Sequence, residues 1–508
     1  MFKACYDIQG KYPDSLEWTM PFFNWPNENT VGELMSDEPN IVCFSVFLWS
    51  QLDMNTLAQK IKEQYPKTII IFGGPDVGHL HYEEYMQQRP WVDYAVYGDG
   101  EDAFVKLIDA ILESKLSSLE LMNIPNLIFR NKQDKAVKTK HEIYKGKMFT
   151  EYSHWIHCAD EVLRDADYIR SLGFPPTIGW ETNRGCPYQC SFCDWSAGLH
   201  TKVTKKKYDG FDELDLFSKA GVHIFLKDAN FGSFPNDQRY LERMWELGII
   251  HWEPSWAKLN KAKVFGIIDR MMELRGFANV HVSLQSISNT VLENIDRPSI
   301  DWKDIKPKIL ALKEKGEVLF SAETIAGLPG ETKDSWDHMM NEFIDVVPYR
   351  GLHTFSWTVL PHSPGANIEY QTKMKLDVRK TRLLYEDIVY NKNNVSEEEL
   401  AHTSRSYLLD LVWGSYSNGV DEHLYSLITA GILYRLQKRF QDKDAIRKVF
   451  NGLKPKMWAR AQKDAEKFRQ HYDTYGVMPY YAYHGNMLYN YNKAWMEEFS
   501  IDLLLKGE

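Results

Sequence analysis

Arg184-Gly185-Cys186-Pro187-Tyr188-Gln189-Cys190-Ser191-Phe192-Cys193 decides how the rest of this chain is read. The chain has 508 residues and only six cysteines, and three of them stand in this one stretch as C-x-x-x-C-x-x-C. Cysteine so sparse does not read as a disulfide-stapled secreted scaffold, and three clustered thiols in a reducing compartment point to a metal. Structural zinc takes four protein ligands in closed tetrahedral geometry, normally as two pairs of Cys or His. No fourth local ligand stands out, since His200 follows Cys193 by seven positions and Cys158 precedes Cys186 by 28. Three thiolates can instead hold a 4Fe-4S cluster and leave one iron open for a ligand. The pattern therefore favours iron and sulfide over zinc.

Downstream, strand and helix patterns alternate. Thr177 to Thr182 reads as a strand leading into the cysteine loop, followed by a helix from Asp212 to Ala220 and a strand from Val222 to Leu226. Further strands are expected at His251 to Ala257, Val280 to Leu284, Val318 to Ile325 and His353 to Leu360. Repeated strand-helix units build a parallel barrel, whose chemistry gathers at the carboxyl ends of its strands. Polar groups recur there: Asp228 and Asn230 after the second strand, then Ser283, Gln285 and Ser286 after the fourth. The fifth runs into Glu323-Thr-Ile-Ala-Gly327-Leu-Pro329-Gly330. Ser255, Lys258, His353 and His362 lie near other strand ends, where facing water or packing structurally explains them equally well.

The cysteine spacing, with aromatic Phe192 before the last thiol, resembles the radical S-adenosylmethionine superfamily, as does LQSISNTVLENIDRP at 284 to 298. The resemblance implies a partial (β/α)6 barrel of six such units. It further implies that Cys186, Cys190 and Cys193 hold the cluster, whose open iron chelates the amino and carboxylate groups of S-adenosylmethionine and splits it to a 5′-deoxyadenosyl radical. Phe192, Asp228, Asn230, Ser283, Gln285, Gly327 and Pro329 would then contact S-adenosylmethionine. An external electron donor such as flavodoxin or ferredoxin would reduce the cluster.

Upstream, Ile41 to Leu48 and Thr68 to Phe72 are continuous apolar runs, as expected of strands buried on both faces, and Tyr94 to Tyr97 reads as a third strand. Helical spacing at Leu57, Ala58 and Ile61, around 82 to 88, and from Ala103 to Leu112 separates and follows them, predicting a parallel, doubly wound Rossmann-like sheet. Gly73-Gly74-Pro75 and Gly98-Asp99-Gly100 fall at strand ends, where such folds place ligands and where glycine lets backbone come close. Neither is a G-x-G-x-x-G dinucleotide signature. The string SVFLWS…LAQKIKEQYPKTIIIFGGPDVG…VDYAVYGDGEDAF resembles the cobalamin-binding domain of cobalamin-dependent radical S-adenosylmethionine enzymes. By that resemblance Ser45, Trp49, Gly73, Gly74, Pro75, Gly98 and Gly100 line the corrin pocket. The D-x-H-x-x-G motif of proteins that supply a histidine beneath cobalt is missing, so no such ligand is expected. An edge hairpin is predicted over 126 to 144, and a polar linker over 141 to 170.

Composition narrows the alternatives. Hydrophobic residues make up 44% and charged residues 26%, as in globular proteins, and Lys plus Arg less Asp plus Glu is 60 − 70 = −10. The acidic balance, with no long basic stripe, argues against general nucleic-acid binding. No apolar run is long enough to span a bilayer, and the N-terminal stretch, with Asp7 early and no long apolar core, does not read as a signal peptide, so a cytoplasmic location is expected. The expected domains are 1–165 for cobalamin, 166–375 for the barrel, and 376–508 as a mainly helical C-terminal domain. The last includes helices over Glu398 to His402, Tyr407 to Trp413, His423 to Arg439 and Trp458 to Arg469, and an aromatic segment from Tyr472 to Tyr491.

The expected activity is methylation of an unactivated carbon in a small metabolite or peptide, because no side-chain base removes such a proton near neutral pH while a carbon radical takes the hydrogen atom. Radical rearrangement, cyclisation or ring contraction with the same cofactors is the alternative, and a ligand-sensing protein with a structural cluster is a third reading. A methylthiotransferase fits less well, since Cys5, Cys43 and Cys158 form no second trio.

Overall fold

The computed structural model describes residues 1–19, 29–47, 50–144, 146–195, 199, 201–249, 252–253, 262–297, 301–349, 351–360, 362–383, 412–475 and 478–480. The chain forms two compact units, one built on Met1–Pro187 and Asp194–Ile224, the other on Tyr188–Cys193 and most of the chain from Phe225 onward.

In the first unit β1 (Ile41–Ser45), β2 (Ile69–Gly73) and β3 (Tyr94–Val96) lie side by side in sequence order and parallel. The predicted hairpin, β4 (Leu127–Arg130) and β5 (Ala136–Lys138), extends the sheet antiparallel beyond β3. Alternation along the strands feeds two cores. Phe44, Ile70, Phe72, Ala95 and Ile128 pack with Leu57, Ala58 and Ile61 of the helix Gln51–Gln64. Ile71, Val96, Leu127 and Phe129 pack with Phe104, Leu107 and Ile108 of the helix Glu101–Leu112. Helices thus cover both faces of β2, whose apolar run follows from that double burial, whereas β1 is the edge strand, with Phe44 buried but Cys43 exposed, so the expectation of burial on both faces does not hold there.

The stretch expected as a linker instead holds three helices, Lys147–Thr150, His154–His157 and Ala159–Ser171. Only Ala166 of the longest is buried, so its polar composition looks like that of a solvated connector. Beyond it run β6 (Thr177–Trp180), β7 (Asn183–Arg184) and β8 (Thr204–Lys205), with Arg184 paired to Thr204 across the antiparallel β7-β8 ladder. The helix Phe211–Ala220 sits between the left-handed glycines Gly210 and Gly221. It buries Glu213, whose oxygens accept from Trp180 Nε1 (2.5 Å), Ser153 Oγ (2.5 Å), Tyr208 Oη (2.8 Å) and Lys206 Nζ. Such a charge is tolerable only because it is paired and fully hydrogen-bonded. β9 (His223–Leu226) starts beside β6, where His223 N–H donates to Pro176 O at 2.9 Å.

In the second unit β10 (Trp252–Glu253) neighbours β9, and β11 (Phe277–Gln285), β12 (Glu317–Ala326) and β13 (Leu352–Ser356) form a parallel sheet in that order. Each helix that follows β10, β11 and β12 supports the strand-helix repeat: Ala262–Arg275, Trp302–Lys315 and Lys333–Val346. Val280, Val282, Val318, Phe320 and Ala322 point into the core, and alternate residues are left partly open. The sixth strand ends at Ser356 rather than Leu360. Trp357 N–H donates to Ala326 O (2.9 Å) and its ring is buried, after which β14 (Thr358–Val359) leaves for a different sheet.

That sheet, ordered β14-β16-β15-β17, contains β15 (Val378–Leu383), β16 (Val412–Ser415) and β17 (Met478–Tyr480). Val412 and Trp413 therefore lie in a strand where a helix was expected, because their side of the segment finds backbone partners in β14 and β15. Residues 398–402, 407–411 and 481–491 fall outside the described residues. Among the described residues the C-terminal part also holds the helices Val420–Arg439 and Lys443–Tyr475. Trp336, with no exposed surface, donates from Nε1 to Thr429 Oγ1 (3.0 Å) and anchors the first of them. No helix among the described residues is long and apolar enough to cross a membrane.

Candidate cofactor site

The last two cysteines sit in a suspended turn. Cys193 N–H donates to Cys190 O at 3.0 Å, while Ser191 N–H donates to Ile295 O (2.9 Å) and Ser191 O accepts from Gly365 N–H (2.7 Å). Tyr370 Oη adds a bond to Ser191 Oγ at 2.8 Å and another to Asn294 O at 2.9 Å. A side chain at Gly365 would put its Cβ 2.7 Å from Ser191 O, so only glycine lets the two backbones meet. Phe192 packs beside Val291, Leu292, Ile325, Leu328 and Trp357. Among the described residues no three His, Cys, Asp or Glu side chains converge as a metal-holding group, and the Cys190-Cys193 turn is what links the later two thiols.

Arg297 is buried beside this turn, donates to Ser283 O and lies 5.8 Å from the Phe192 ring. Burial lowers its pKa, and the sulfurs of Cys190 and Cys193 act in the opposite sense. A permanently charged group facing sulfur suits anionic thiolates. It lies within the segment 284 to 298, yet its approach to Cys190 is a tertiary fact with no signal in the sequence.

The ends of β11 and β12 hold the next polar groups. Gln285 has a left-handed φ of 67°, is 5% exposed, and its Oε1 has no hydrogen-bond partner among the described residues. Strain together with an unsatisfied buried acceptor marks a position shaped for a ligand. Ser283 Oγ donates to Glu323 Oε2, and His281 Nε2 lies 2.9 Å from Glu323 Oε1. Burial works to raise the Glu323 carboxyl, and those two bonds outweigh it and hold it low. Ser286 Oγ donates to Glu331 Oε2 (2.5 Å), whose carboxyl burial pushes up. Gly327 has a φ of 91°, and a Cβ there would lie 2.4 Å from Ser415 O. Pro329 O accepts from Asn294 Nδ2 (3.0 Å), fixing the glycine-rich turn. Asp228 and Asn230 are buried after β9, and His362 is buried. Ser255 and Lys258 lie outside the described residues.

In the first unit the carboxyl ends of β1, β2 and β3 come together. Ser45 pairs with Gly73, Val46 N–H donates to Gly73 O (2.7 Å), and Asp76 N–H donates to Val46 O (3.2 Å). Pro75 is exposed next to Gly74, whose φ is 105°. Gly98 follows β3 with a φ of 65°, and Gly100 begins the helix Glu101–Leu112. Burial pushes Asp76 up to about 6, and burial with the nearby Asp76 pushes Asp194 up to about 7. His79 is buried, stacked on Tyr97 at 5.4 Å, and burial lowers it to about 4. Trp49 lies outside the described residues. Arg184, noted from sequence only as a neighbour of Cys186, is 14% exposed and joins Glu101 (2.5 Å) and Glu181 (2.8 Å).

Family models match both regions. The B12 binding domain matches residues 16–108 and the Radical SAM superfamily matches residues 180–343. The chain thus carries a B12-binding region followed by a radical S-adenosylmethionine region. Its relatives include the cobalamin-dependent radical SAM methyltransferase TokK of Streptomyces tokunonensis, 28% identical over 64% of this chain and 48% of that protein. The 2-(S-pantetheinyl)-carbapenam-3-carboxylate methyltransferase of Streptantibioticus cattleyicolor is 26% identical over the same shares, 64% and 48%. The chain thus spans about half the length of these curated relatives. In fold it is similar to the radical S-adenosylmethionine methyltransferase TsrM of Kitasatospora setae, solved with cobalamin and a [4Fe-4S] cluster. That match has a TM-score of 0.57 at 15% identity and covers 86% of this chain and 91% of that one. It is also similar to OxsB, solved with aqua-cobalamin and S-adenosylmethionine, with a TM-score of 0.55 at 12% identity over 94% and 74%.

Proposed function

We propose that this chain is a cobalamin- and 4Fe-4S-dependent radical S-adenosylmethionine methyltransferase acting on an unactivated carbon of a small molecule, a metabolite or a short peptide. The observation that carries the reading is the joining, in one chain, of glycine turns at the ends of β1 to β3 with a C-x-x-x-C-x-x-C loop that follows β6. The names of the methyltransferase relatives support the reaction class. The donor types in these loops would suit the cofactors. Three thiols with an aromatic between the last two offer soft ligands for an iron-sulfur cluster. Ser45, Gly73, Gly74, Pro75, Gly98, Gly100 and Trp49 would hold the corrin.

Bound together, the cluster, S-adenosylmethionine and cobalamin supply reductive sulfonium cleavage and a transferable methyl group. The chain's own residues bind and orient. Cys186, Cys190 and Cys193 would hold the cluster, with Arg297 offsetting negative charge beside Cys190. Gln285 presents a buried amide oxygen for a hydroxyl or amino donor, and Asp228, Asn230 and Ser283 offer further partners at neighbouring strand ends. Phe192, Gly327 and Pro329 would offer apolar surface to an adenine. The apolar packing around them excludes water, which would otherwise compete for each of these hydrogen bonds. A flavodoxin or ferredoxin would supply electrons.

The test is product stoichiometry under anaerobic turnover with cobalamin, reductant and candidate metabolites. Methyl transfer requires one S-adenosylmethionine to lose its methyl and a second to be cleaved, so S-adenosylhomocysteine and 5′-deoxyadenosine form in equal amounts with a methylated product. Formation of 5′-deoxyadenosine alone, with an unmethylated product, would instead assign rearrangement or cyclisation.

A further inference from the structure

Arg184 is bound far more elaborately than a structural cation needs to be. Its Nε donates to both oxygens of Glu181 at 3.1 Å, and Nη2 donates to Glu181 Oε2 at 2.8 Å. Nη1 donates to Glu101 Oε1 at 2.5 Å and lies 3.7 Å from Asp99 Oδ1. The guanidinium also covers the Phe149 ring at 4.7 Å. Glu101 is 2% exposed.

These partners belong to two places in the chain. Asp99 and Glu101 form the turn Gly98-Asp99-Gly100-Glu101 at the end of β3, the turn read as corrin-lining. That turn is itself braced, since Asn126 Nδ2 donates to Asp99 O (2.8 Å) and Tyr144 N–H to Asp99 Oδ2 (2.9 Å). Glu181 and Arg184 belong to the segment between β6 and Cys186. Arg184 is held in the β7-β8 ladder, Gly185 follows with a left-handed φ of 92°, and Cys186 comes next. One planar fork therefore grips the corrin-side turn and the approach to the first sulfur ligand at once.

Stability alone is a poor account of this arrangement. A buried ion pair gives little net stability over apolar residues of similar volume, and its best-attested use is to specify one geometry. A guanidinium is suited to that task, because its donors are rigid and planar, whereas an ammonium on a flexible stem fixes no direction.

We propose that Arg184 is a positioning residue joining the two cofactor sites: by gripping Asp99 and Glu101 on one side and Glu181 on the other, it makes cobalamin affinity and the environment of the cluster depend on one another's loops. The inference rests on the cofactor assignment above. Arg184 touches neither cofactor in this account and acts through Gly98-Gly100 and through Gly185-Cys186.

The experiment compares wild type with Arg184→Lys, Arg184→Met and the double variant Arg184→Met/Glu101→Met. Hydroxocobalamin affinity is measured by visible titration, unfolding by heat, and the reconstituted, reduced cluster by electron paramagnetic resonance. Arg184→Met should weaken cobalamin binding about tenfold, a typical coupling between sites, and alter the cluster spectrum, with Arg184→Lys between it and wild type. The double variant leaves no unpaired buried charge at Glu101, so its unfolding temperature should recover towards wild type while cobalamin affinity stays low. Recovery of affinity together with thermal stability, or affinity within twofold of wild type in Arg184→Met, would overturn the proposal and leave Arg184 a fold-stabilising residue. If Arg184→Met does not fold, the double variant and Arg184→Lys decide. Wild-type protein that takes up neither cobalamin nor cluster fails the cofactor assignment itself, a result separable from any difference among variants.

Discussion

Gly74→Ala probes the point where the ends of β1 and β2 come closest. A Cβ there would sit 2.5 Å from Val46 O and 2.8 Å from Val46 N, both backbone atoms, whereas ordinary contact begins at 3.4 Å. No rotamer change relieves a clash with backbone, and the bonds from Val46 N–H to Gly73 O (2.7 Å) and from Asp76 N–H to Val46 O (3.2 Å) hold the approach in place. The φ of 105° adds a second penalty, about 1–2 kcal/mol for a residue with a Cβ in left-handed conformation. Overpacking costs about 1–3 kcal/mol more. The combined loss of about 2–5 kcal/mol corresponds to a drop of about 5–15 °C in unfolding temperature for a unit of this size. Gly73→Ala is the matched control. Its nearest neighbour would be Val96 O at 3.9 Å and its φ is not left-handed, so stability should hardly change while cobalamin affinity falls if Gly73 faces the corrin. Differential scanning fluorimetry of both variants, with hydroxocobalamin titration alongside, reads the contrast. Equal unfolding temperatures for Gly74→Ala and wild type would refute the close approach and the pocket built on it.

Lys206→Met should destabilise the first unit by about 3–5 kcal/mol in urea unfolding, because it leaves buried Glu213 without its cation; a loss below about 1 kcal/mol would contradict the pairing. Burial lowers His423 from 6.5 to about 4, so the unfolded chain takes up a proton that the native one refuses. Its contribution is therefore complete above pH 6.5 and is lost as the pH falls towards 4, by about 3 kcal/mol at most. His423→Gln should flatten the stability profile in that window, and an unchanged slope would count against the assignment. Gln285→Leu should leave the protein without cofactors as stable or slightly more so, since a buried unsatisfied oxygen is removed, while weakening S-adenosylmethionine binding in equilibrium dialysis. Unchanged binding would remove Gln285 from the site.

β2 was legible because burial on both faces turns a strand into an unbroken apolar run, while the apolar run of β1 marked a strand but not its exposed edge; β11 and β12 alternate because only one face is buried. The cysteine spacing was legible because rare residues at fixed offsets carry chemistry that composition cannot mimic. The helices over 147–171 were not, since a helix that buries little more than Ala166 has the composition of a solvated connector. The early end of β13 depends on Trp357 finding Ala326 O, and the strand at Val412 depends on β14 and β15, both tertiary pairings with no local signal. Arg184, Arg297 and the His281-Glu323 pair share that character. Each residue reads as an ordinary charged or polar position until the fold brings its distant partner within hydrogen-bonding distance.

The central claim is that the sulfur trio holds a cluster with a site open to S-adenosylmethionine. It is tested most directly by electron paramagnetic resonance of anaerobically reconstituted, reduced protein before and after addition of S-adenosylmethionine. The account predicts a cluster signal in wild type whose g-values shift on addition, and loss of the signal in Cys190→Ser. A spectrum indifferent to S-adenosylmethionine, or a metal content of zinc in place of iron and sulfide, would contradict it.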